Sequence, residues 1–462
     1  MSDDYKTNFN KGEWKMVFKQ QEKYHSIAGE KYDTMKQVKR KLGLAALTSI
    51  LTFSLAACGG KSASNETKAS EQSSGAAATD ELKAEPGAEL LLWDSKDPFV
   101  EYASKEFEKK YNVKVKFEKV ETTDTVKRLS TDGPAGTGAD VVVFPHDHLG
   151  TAVKSGVILP NDYFEEETKE TIVEPAVQAS TYEGVLYGYP RNIETYALYV
   201  NKDLVKDAKL DTWEDIIAFS KKFNDVPNNK FGFLYEANNP YFNYAFMAGY
   251  GGYVFGKNGT DKNDIGINNE GAVKGMEFYR SLKEIIPVNP KDITADVKTG
   301  LWQEGKVAIN LDGIWNAGNF AKLPFEVEVI PLPKMPGGAE PVAFSGVKSY
   351  YVSSYSKYPN AARLFAHFLT TKEMMLKNYE LTGVLPAAKG LENEGAIKAD
   401  KIIAGFMQQV AKTQPMPSIP ETQFFWQSVT PAIEQIWNGA DVKATLDKAA
   451  GEMKTNIATG NK

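Results

Sequence analysis

Cysteine is almost absent from this chain, and this absence narrows the range of functions that the protein can have. Cys58 is the one cysteine among 462 residues, so no disulfide can form within the chain. Basic residues do not exceed acidic ones, and the net charge of -6 argues against a surface for nucleic acid or anionic membranes, because both favour basic patches. No apolar stretch after residue 58 approaches the roughly 20 residues that a membrane-spanning helix needs.

The motifs of common enzyme classes are also missing. The sequence contains no GxSxG, P-loop, HExxH or CxxC, and Cys58 lies outside the part that we expect to fold, which excludes a cysteine nucleophile. His146 and His148 flank Asp147, and such a trio is able in principle to bind a metal. We favour polar groups at a helix start, because no other histidine is well placed to complete a metal site. The sequence therefore predicts no enzyme, no metal and no cofactor.

An export signal is present near the amino terminus. A basic cluster at residues 36–41 precedes the apolar run Leu42–Leu55, which is too short to span a membrane but suits the core of a signal peptide. Leu55-Ala56-Ala57-Cys58 resembles the lipobox of bacterial lipoproteins, whose cysteine is lipidated and becomes the mature amino terminus. The alternative is a cleaved signal or a short anchor with an incidental cysteine. We expect lipidation of Cys58, which places the protein on the extracytoplasmic face of the cell membrane, as on a Gram-positive-type surface.

The chain divides into a leader, a tether and a body. Residues 1–57 form the leader and signal peptide, in which Met35 is the expected true start because it stands directly before the basic cluster. Residues 58–88 hold the cysteine and a flexible tether, which is nearly free of the large apolar residues that folding requires. Residues 89–462 form the body, and their number predicts two lobes because it exceeds what one compact core usually organises.

The first part of the body alternates between strand and helix patterns. Leu90–Trp93 and Ala139–Phe144 are short apolar runs typical of strands buried on both faces, whereas Val113–Phe117 alternates polar and apolar residues. Helical spacing separates these strands, in Val100–Tyr111 and around Thr123–Ser130. This rhythm predicts an α/β fold with a parallel sheet.

The second part of the body predicts another lobe. Tyr196–Asn201 is expected to be a strand that crosses between lobes, and Thr212 is expected to cap the helix Trp213–Phe223. The first lobe comprises roughly residues 89–192 plus a later return segment, and the second roughly residues 202–340 plus C-terminal helices. Further expected strands are Val307–Leu311, Phe325–Ile330 and Tyr350–Ser353, and the expected C-terminal helices are Ala361–Leu369, Glu373–Glu380, Ile402–Val410, Phe424–Trp437 and Val442–Ile457.

Five aromatic residues fall near predicted strand ends or helix starts. Ligands of open α/β sheets bind outside the carboxyl ends of the strands. Aromatic rings have flat apolar faces and polar edges, which suit the apolar face and hydroxyl rim of a sugar. Packing in the core remains the alternative for each ring taken singly. The five residues are Trp93, Phe144, Tyr241, Trp315 and Trp426.

The order of motifs along Glu89–Lys462 resembles the maltose/maltodextrin-binding proteins of bacterial ABC importers. This resemblance implies a two-lobed periplasmic-binding-protein fold with a hinge and a sugar in the cleft between the lobes. No one motif is specific, but their order and spacing are. The matching stretches are Ala139–Asp147, Tyr189–Glu194, Tyr199–Asp203, Pro240-Tyr241-Phe242, Gly251-Gly252-Tyr253, Gly313-Ile314-Trp315 and Met416–Pro420, the last of these six residues before Trp426.

The resemblance also implies a set of sugar-binding residues. Some positions depart from the best-known pattern: His148 and Thr430 stand where arginines are common, and Asn239 where a carboxylate is common. By position, Phe144 and Tyr241 match stacking aromatics, Trp315 and Trp426 match tryptophan platforms, Asp147 and Glu194 match carboxylates, Met416 lines the cleft, Trp93, Lys96 and Asp97 belong to the first binding loop, and His148 and Asn239 occupy two of the departing positions.

The predicted function is that of an extracytoplasmic, monomeric, lipid-anchored solute-binding protein that delivers maltose or maltodextrins to the membrane permease of an ABC transporter. Another oligosaccharide is the alternative ligand. An anion is disfavoured, because the expected cleft carries aromatics and carboxylates instead of basic groups. A secreted glycosidase that uses Asp147 and Glu194 as its acid and base is the rival from another class.

Overall fold

The computed structural model describes residues 82–95 and 98–460. The predicted leader, the lipidation site Cys58 and most of the tether lie outside these ranges, as do Lys96 and Asp97, so these assignments stay predictions. In chain order the strands are β1 (Glu89–Asp94), β2 (Lys114–Lys119), β3 (Val141–Pro145), β4 (Thr181–Tyr182), β5 (Val185–Leu186), β6 (Tyr189–Glu194), β7 (Tyr196–Asn201), β8 (Phe231–Leu234), β9 (Tyr253–Phe255), β10 (Asp261–Gly266), β11 (Val307–Gly313), β12 (Val327–Ile330), β13 (Ala343–Val352), β14 (Leu385–Pro386) and β15 (Thr413–Pro415).

The described strands form two large sheets and two small two-stranded sheets, β4-β5 and β9-β10, and helices cover both large sheets. None of the helices in the described ranges has the length and apolar content that a membrane crossing requires. The α-helices are Pro98–Tyr111, Thr125–Asp132, Leu149–Lys154, Glu165–Thr171, Glu174–Ala179, Lys202–Val205, Trp213–Phe223, Pro240–Gly249, Gly256–Gly259, Glu270–Ser281, Ala295–Gln303, Ala317–Phe320, Pro359–Leu369, Lys372–Thr382, Gly395–Ala399, Lys401–Val410, Thr422–Trp437 and Val442–Gly460.

The first lobe is built on a seven-stranded sheet of order β14-β6-β13-β3-β1-β2, with β15 beside β13. Strands β2, β1 and β3 are parallel, as the strand and helix rhythm predicts. Strand β13 lies antiparallel to β3 and to β6, so the sheet is mixed. Apolar clusters cover both faces: Leu92 and Phe107 belong to one, and Val142 and Leu149 to the other.

The second lobe is built on a four-stranded sheet of order β12-β7-β11-β8. Strands β8 and β11 are parallel, and β7 is antiparallel to β11. The largest apolar cluster of the described residues surrounds this sheet and includes Trp213 and Trp302, both fully buried. The predicted cap of the helix Trp213–Phe223 is present as a reciprocal pair of hydrogen bonds between Thr212 and Asp215, a device worth about 1 kcal/mol.

The chain passes between the two sheets at several points. Strand β6 belongs to the first sheet and β7 to the second, so Thr195 alone separates the two lobes there. The chain returns between β12 and β13, and passes again between β14 and the helix Lys401–Val410, which packs on β12. These crossings confirm the predicted two-lobed α/β architecture with a helical C-terminal region.

Most predicted elements are present, and the differences have physical causes. Strand β13 begins at Ala343, earlier than the predicted start at Tyr350. The prediction missed the first half of the strand because Ser345, Gly346 and Lys348 interrupt its apolar pattern. The six residues of β6 are all buried, yet Pro190, Arg191 and Asn192 hide that strand from a pattern based on hydrophobicity.

Candidate functional site

The site begins where strand β3 ends. A short 3₁₀ turn at His146–His148 follows the strand directly, so the trio provides the polar helix start that the sequence pattern favours. Within the described ranges no group of three or more histidine, cysteine, aspartate or glutamate side chains is arranged to hold a metal ion. The turn therefore presents individual polar groups.

Asp147 joins the two lobes. Its Oδ2 accepts a hydrogen bond of 3.0 Å from the indole Nε1 of Trp426, which lies on the helix Thr422–Trp437 of the second lobe. Its Oδ1 is buried and has no hydrogen-bond partner among the described residues. His148 Nε2 lies 3.7 Å from Oδ2, and the imidazole is 25% exposed. A buried carboxylate oxygen with unused acceptor capacity is costly unless a donor reaches it.

His146, which the sequence marked only as a disfavoured metal ligand, ties the turn to the crossing segments. Its Nε2 lies 3.0 Å from the carbonyl of Met416, and its Nδ1 accepts a 3.1 Å hydrogen bond from the backbone N–H of Val347. Because a carbonyl only accepts and an amide N–H only donates, these partners require the neutral ring with its proton on Nε2. Burial lowers the pKa of His146 and outweighs the raising effect of the Asp147 charge.

A second polar group lies at the end of β6. Glu194 Oε1 accepts a 3.0 Å hydrogen bond from Asn192 and lies 3.2 Å from Nζ of Lys348. The Lys348 ammonium also lies 5.9 Å from the ring centre of Trp315. Glu194 and Lys348 belong to the first sheet and Trp315 to the second lobe, so the predicted carboxylate and one predicted platform face each other between the lobes.

Aromatic rings form a continuous row beside these polar groups. The Tyr241 ring centre lies 6.1 Å from those of Trp315 and Phe344, and Phe344 in turn lies 6.0 Å from Trp426. Phe344 is fully buried and Tyr244 stacks flat on it at 3.6 Å, so it supports the row from beneath. Tyr241, Trp315 and Trp426 keep partly exposed surfaces, which makes their rings available for stacking.

Local structure fixes two rings of the row and the neighbouring Met416. Asn239 caps the helix Pro240–Gly249 by accepting the Tyr241 N–H at 3.0 Å, which sets the position of Tyr241. Trp315 folds back over Gly313, where any Cβ would collide with the indole. Met416 is buried, and its N–H donates to the carbonyl of Ser345 at 3.1 Å. Burial raises the pKa of Tyr241 well above its ordinary value, so its hydroxyl stays protonated.

Two predicted aromatics are placed differently. Trp93 is fully buried, its indole N–H donates to Glu118 at 2.9 Å, and the Arg128 guanidinium covers its ring at 4.2 Å. Phe144 is fully buried and stacks on Tyr351 at 3.8 Å. In this conformation neither ring offers a face to a ligand, and core packing, the alternative weighed for each aromatic, describes both. Their assignment as sugar contacts stays a prediction that this arrangement does not support.

A buried cation lies close to the segment that carries Tyr241, and the sequence of its own helix did not predict it. Lys298 is fully buried and contacts Asp312 at 2.9 Å and Glu236 at 3.1 Å. Its ammonium lies 5.3 Å from the ring centre of Phe242, the neighbour of Tyr241. A signal was available elsewhere, because Asp312 is the one charged residue in the strand Val307–Gly313, and a buried carboxylate requires a partner.

Comparison with known proteins gives the class to which this fold and site belong. Residues 103–405 match the family described as bacterial extracellular solute-binding protein, which is more than half of the chain. The chain therefore belongs to this family of solute-binding proteins, which are not enzymes.

Individual relatives make the comparison more specific. The galactooligosaccharide-binding protein of Bacillus subtilis is 34% identical over 438 residues, which cover 92% of this chain and 98% of that protein. A maltooligosaccharide ABC transporter solute-binding lipoprotein of Streptococcus pneumoniae is 30% identical over 426 residues, 90% of this chain and 95% of that protein. The crystal structure of a cyclo/maltodextrin-binding protein complexed with maltotetraose is 35% identical, with a TM-score of 0.66, and the match covers 80% of this chain and 97% of that one.

Proposed function

We propose that this protein captures maltodextrins outside the cytoplasm and delivers them to the membrane permease of an ABC importer. The observation that carries the proposal is the buried carboxylate of Asp147, which one lobe supplies and the other lobe binds through Trp426. Its unpartnered Oδ1 is an acceptor that a sugar hydroxyl is suited to fill, because a hydroxyl is a donor as well as an acceptor.

The neighbouring groups complete a carbohydrate site. Tyr241, Trp315 and Trp426 offer partly exposed rings on which pyranose faces stack, and Glu194 with Lys348 supplies an acceptor and a donor. A site of this kind discriminates strongly, since a ligand that lacks the matching hydroxyls leaves buried polar groups unpaired. Lys96 and Asp97, His148, Asn239 and Met416 complete the proposed set of contacts.

Closure of the two lobes around the sugar provides the signal for the permease. The short Thr195 link between β6 and β7 supports this proposal, because hinges are typically a few residues between rigid elements. A closed, sugar-loaded surface would then differ from the open one that the permease must reject.

Isothermal titration with maltotriose and maltotetraose tests the function. We expect saturable heat with a dissociation constant in the micromolar range, which corresponds to about 8 kcal/mol and is within reach of stacked rings and several hydrogen bonds. Absence of heat with both sugars, and with longer and cyclic maltodextrins, would rule out the α-glucan ligand.

A galactooligosaccharide is the second candidate, and two observations favour it. The galactooligosaccharide-binding relative is 34% identical over nearly its whole length, and His148, Asn239 and Thr430 depart from the pattern of maltodextrin binders at the site itself. Titration with a β-linked galactotetraose under the same conditions decides between the candidates, because the two sugars differ in the direction of their hydroxyls.

Attachment to the membrane through Cys58 is part of the proposal, as is a monomeric state. The streptococcal relative named a lipoprotein supports the anchor, which would keep the binder at high effective concentration near its transporter. A Cys58→Ser variant should bind sugar normally but appear in the culture medium. Retention of that variant at the cell surface would contradict the anchor and leave the binding function intact.

A further inference from the structure

Two acidic side chains lie next to each other at one edge of the second sheet. Strands β8 and β11 are parallel, with Leu234 opposite Asn310. Glu236 and Asp312 each follow two residues later, so the register places both carboxylates at the same edge. Like charges in neighbouring positions repel, and the pair therefore needs a cation.

Lys298 supplies that cation from the helix Ala295–Gln303. Its Nζ lies 2.9 Å from Asp312 Oδ2 and 3.1 Å from Glu236 Oε1, and its side chain is 1% exposed. Burial alone would lower the pKa of Lys298, but the two carboxylates outweigh it and the pKa is raised. The lysine is therefore charged, and one positive charge faces two negative ones.

The two carboxylates differ in how completely the protein occupies them. Asp312 is 1% exposed and accepts from Lys298, from its neighbour Gly313 at 2.7 Å and from Asn316 at 3.0 Å. Glu236 is 20% exposed, and apart from Lys298 its carboxylate receives a hydrogen bond from Asn239 at 3.5 Å, the outer limit for such a bond. Glu236 thus keeps unused acceptor capacity on a partly open carboxylate that is held in place.

The Glu236 carboxylate is linked to the segments that carry the aromatic rings. Glu236 stands between the end of β8 and the helix that carries Tyr241, and it contacts Asn239. Asn316 is the neighbour of Trp315 and reaches the same network through Asp312. The charged network therefore connects the two segments that hold the platforms Tyr241 and Trp315.

We propose that Glu236 accepts a hydrogen bond from a sugar hydroxyl beside the Tyr241 and Trp315 rings, and that Lys298 is the positioning residue that holds its carboxylate there. The inference rests on the proposed function and deepens it, because it adds to the site an acidic group that the family resemblance did not indicate. Asn239 stands where a carboxylate is common in the resembling family, and Glu236, three residues earlier, supplies a carboxylate in the same segment.

The test compares Glu236→Gln with the wild type by titration of maltotetraose and of a β-linked galactotetraose. Loss of a hydrogen bond to a charged acceptor should raise the dissociation constant about tenfold for the sugar that the wild type binds. The matched control is Glu328→Gln on β12 of the same lobe, where the glutamate is 49% exposed and pairs with Lys202. We expect no change in affinity for that control.

Lys298→Met separates positioning from folding. This variant should lower the melting temperature, because it leaves two carboxylates side by side, and it should also weaken sugar binding. In the Glu236→Gln background the same substitution should change the dissociation constant much less, because Lys298 acts on the sugar through Glu236. A purely structural lysine would weaken binding by the same factor in both backgrounds.

The outcomes are distinguishable. If the wild type binds sugar and Glu236→Gln binds it equally well, the inference is overturned and the proposed function stands. If the wild type binds neither tetrasaccharide and none of the shorter, longer or cyclic maltodextrins, the proposed function fails and the inference fails with it. If Glu236→Gln loses affinity and Glu328→Gln does not, the role of Glu236 is supported.

Discussion

Each lobe buries a cation beside a strand-end carboxylate, but the two lobes complete the arrangement differently. In the first lobe Arg191 Nη1 lies 2.7 Å from Asp94 Oδ2, and the side chains are 6% and 0% exposed. In the second lobe Lys298 is as deeply buried, yet one of its two partners, Glu236, is 20% exposed. The first pair is enclosed by protein, whereas the second keeps one partly exposed carboxylate.

This difference in exposure separates charged groups that stabilise the fold from charged groups that are available to a ligand. A fully buried pair offsets its desolvation with partners within the protein, and removal of one partner leaves an uncompensated buried charge. A partly exposed carboxylate held by a buried cation is already positioned when a hydroxyl arrives. Such preorganisation is what a binding site needs, because less ordering remains to be done on binding.

The largest effect should come from breaking the enclosed pair. Arg191→Met leaves Asp94 buried beside an apolar side chain and should reduce the free energy of unfolding by about 3–5 kcal/mol, measured by urea denaturation. The matched control is Arg363→Met, because Arg363 pairs with Asp162 at a site where the aspartate is 62% exposed, and such pairs contribute about 0–1 kcal/mol. Equal losses in the two variants would remove the distinction between enclosed and open pairs.

The next effect concerns Asp147, a first-lobe carboxylate that is completed by the second lobe. Trp426→Phe keeps an aromatic face but removes the N–H that donates to Asp147, and it should weaken sugar binding about tenfold. Trp426→Ala removes the face as well and should weaken binding about a hundredfold, since stacking adds to the loss. Titration of both variants separates the two contributions. If Phe and Ala have the same effect, the ring face contributes nothing to binding.

A smaller effect should appear in the pH dependence of the free energy of unfolding, because the first lobe buries a neutral histidine. The folded state holds His146 uncharged, with its pKa lowered by burial despite the adjacent Asp147 charge. The unfolded chain takes up a proton near the ordinary histidine pKa of about 6.5. The unfolded state therefore binds more protons, and stability should fall as the pH drops below about 6.5, by at most about 1.4 kcal/mol per pH unit for each such group.

His146→Gln tests this assignment, because a single amide group supplies both a donor and an acceptor. Urea denaturation between pH 7 and pH 5 should show a shallower decline than in the wild type. His367→Gln is the comparison variant, since burial also lowers the pKa of His367 and its loss should remove a separate share of the slope. A His146→Gln curve parallel to the wild-type curve would show that His146 does not titrate in this way.

The smallest effect should come from a long ion pair between the lobes, in which the lysine is half-exposed. Lys154 of the first lobe lies 3.9 Å from Glu421, which also binds Lys262 of β10 at 2.8 Å. Lys154 is 50% exposed and Glu421 is 4% exposed, but Lys262 remains as the closer partner of Glu421, so loss of the long contact with the half-exposed Lys154 should contribute little. Lys154→Met should change the dissociation constant for sugar by less than about threefold. A larger change would mean that charge between the lobes, and not the buried groups, governs closure.

Much of the fold could be predicted from the sequence, because it depends on local pattern. The strand Tyr196–Asn201 and the helix Trp213–Phe223 appear at the predicted residues. The apolar pattern of each element, and the cap of the helix, depend only on residues that are close together in the sequence. Strand β6 escaped prediction because Pro190, Arg191 and Asn192 interrupt its apolar pattern, and the carboxylate that pairs with the buried Arg191 lies in a distant segment. Arg191 pairs with a residue 97 positions away.

The site was predictable to a lesser degree. Asp147, Glu194, Tyr241, Trp315 and Trp426 were named from the resemblance. The structure links Asp147 to Trp426, Glu194 through Lys348 to Trp315, and Trp315 to Tyr241, and their role in sugar binding stays a prediction. Trp93 and Phe144 satisfied the same pattern but lie in the core. A position near a strand end predicts that a residue lies at the ligand-binding edge of the sheet, but it does not predict whether other side chains cover the aromatic ring.

The sequence by itself determined the alternation of strands and helices, the two-lobed body and the supply of aromatic and acidic side chains. Only the tertiary structure decided which of those side chains meet. His146 contacts residues 201 and 270 positions away, and Lys298 joins Glu236 and Asp312 across three elements. Secondary structure follows from interactions over a few residues, but burial of a charge or a neutral histidine depends on partners that only chain crossing brings within hydrogen-bond distance.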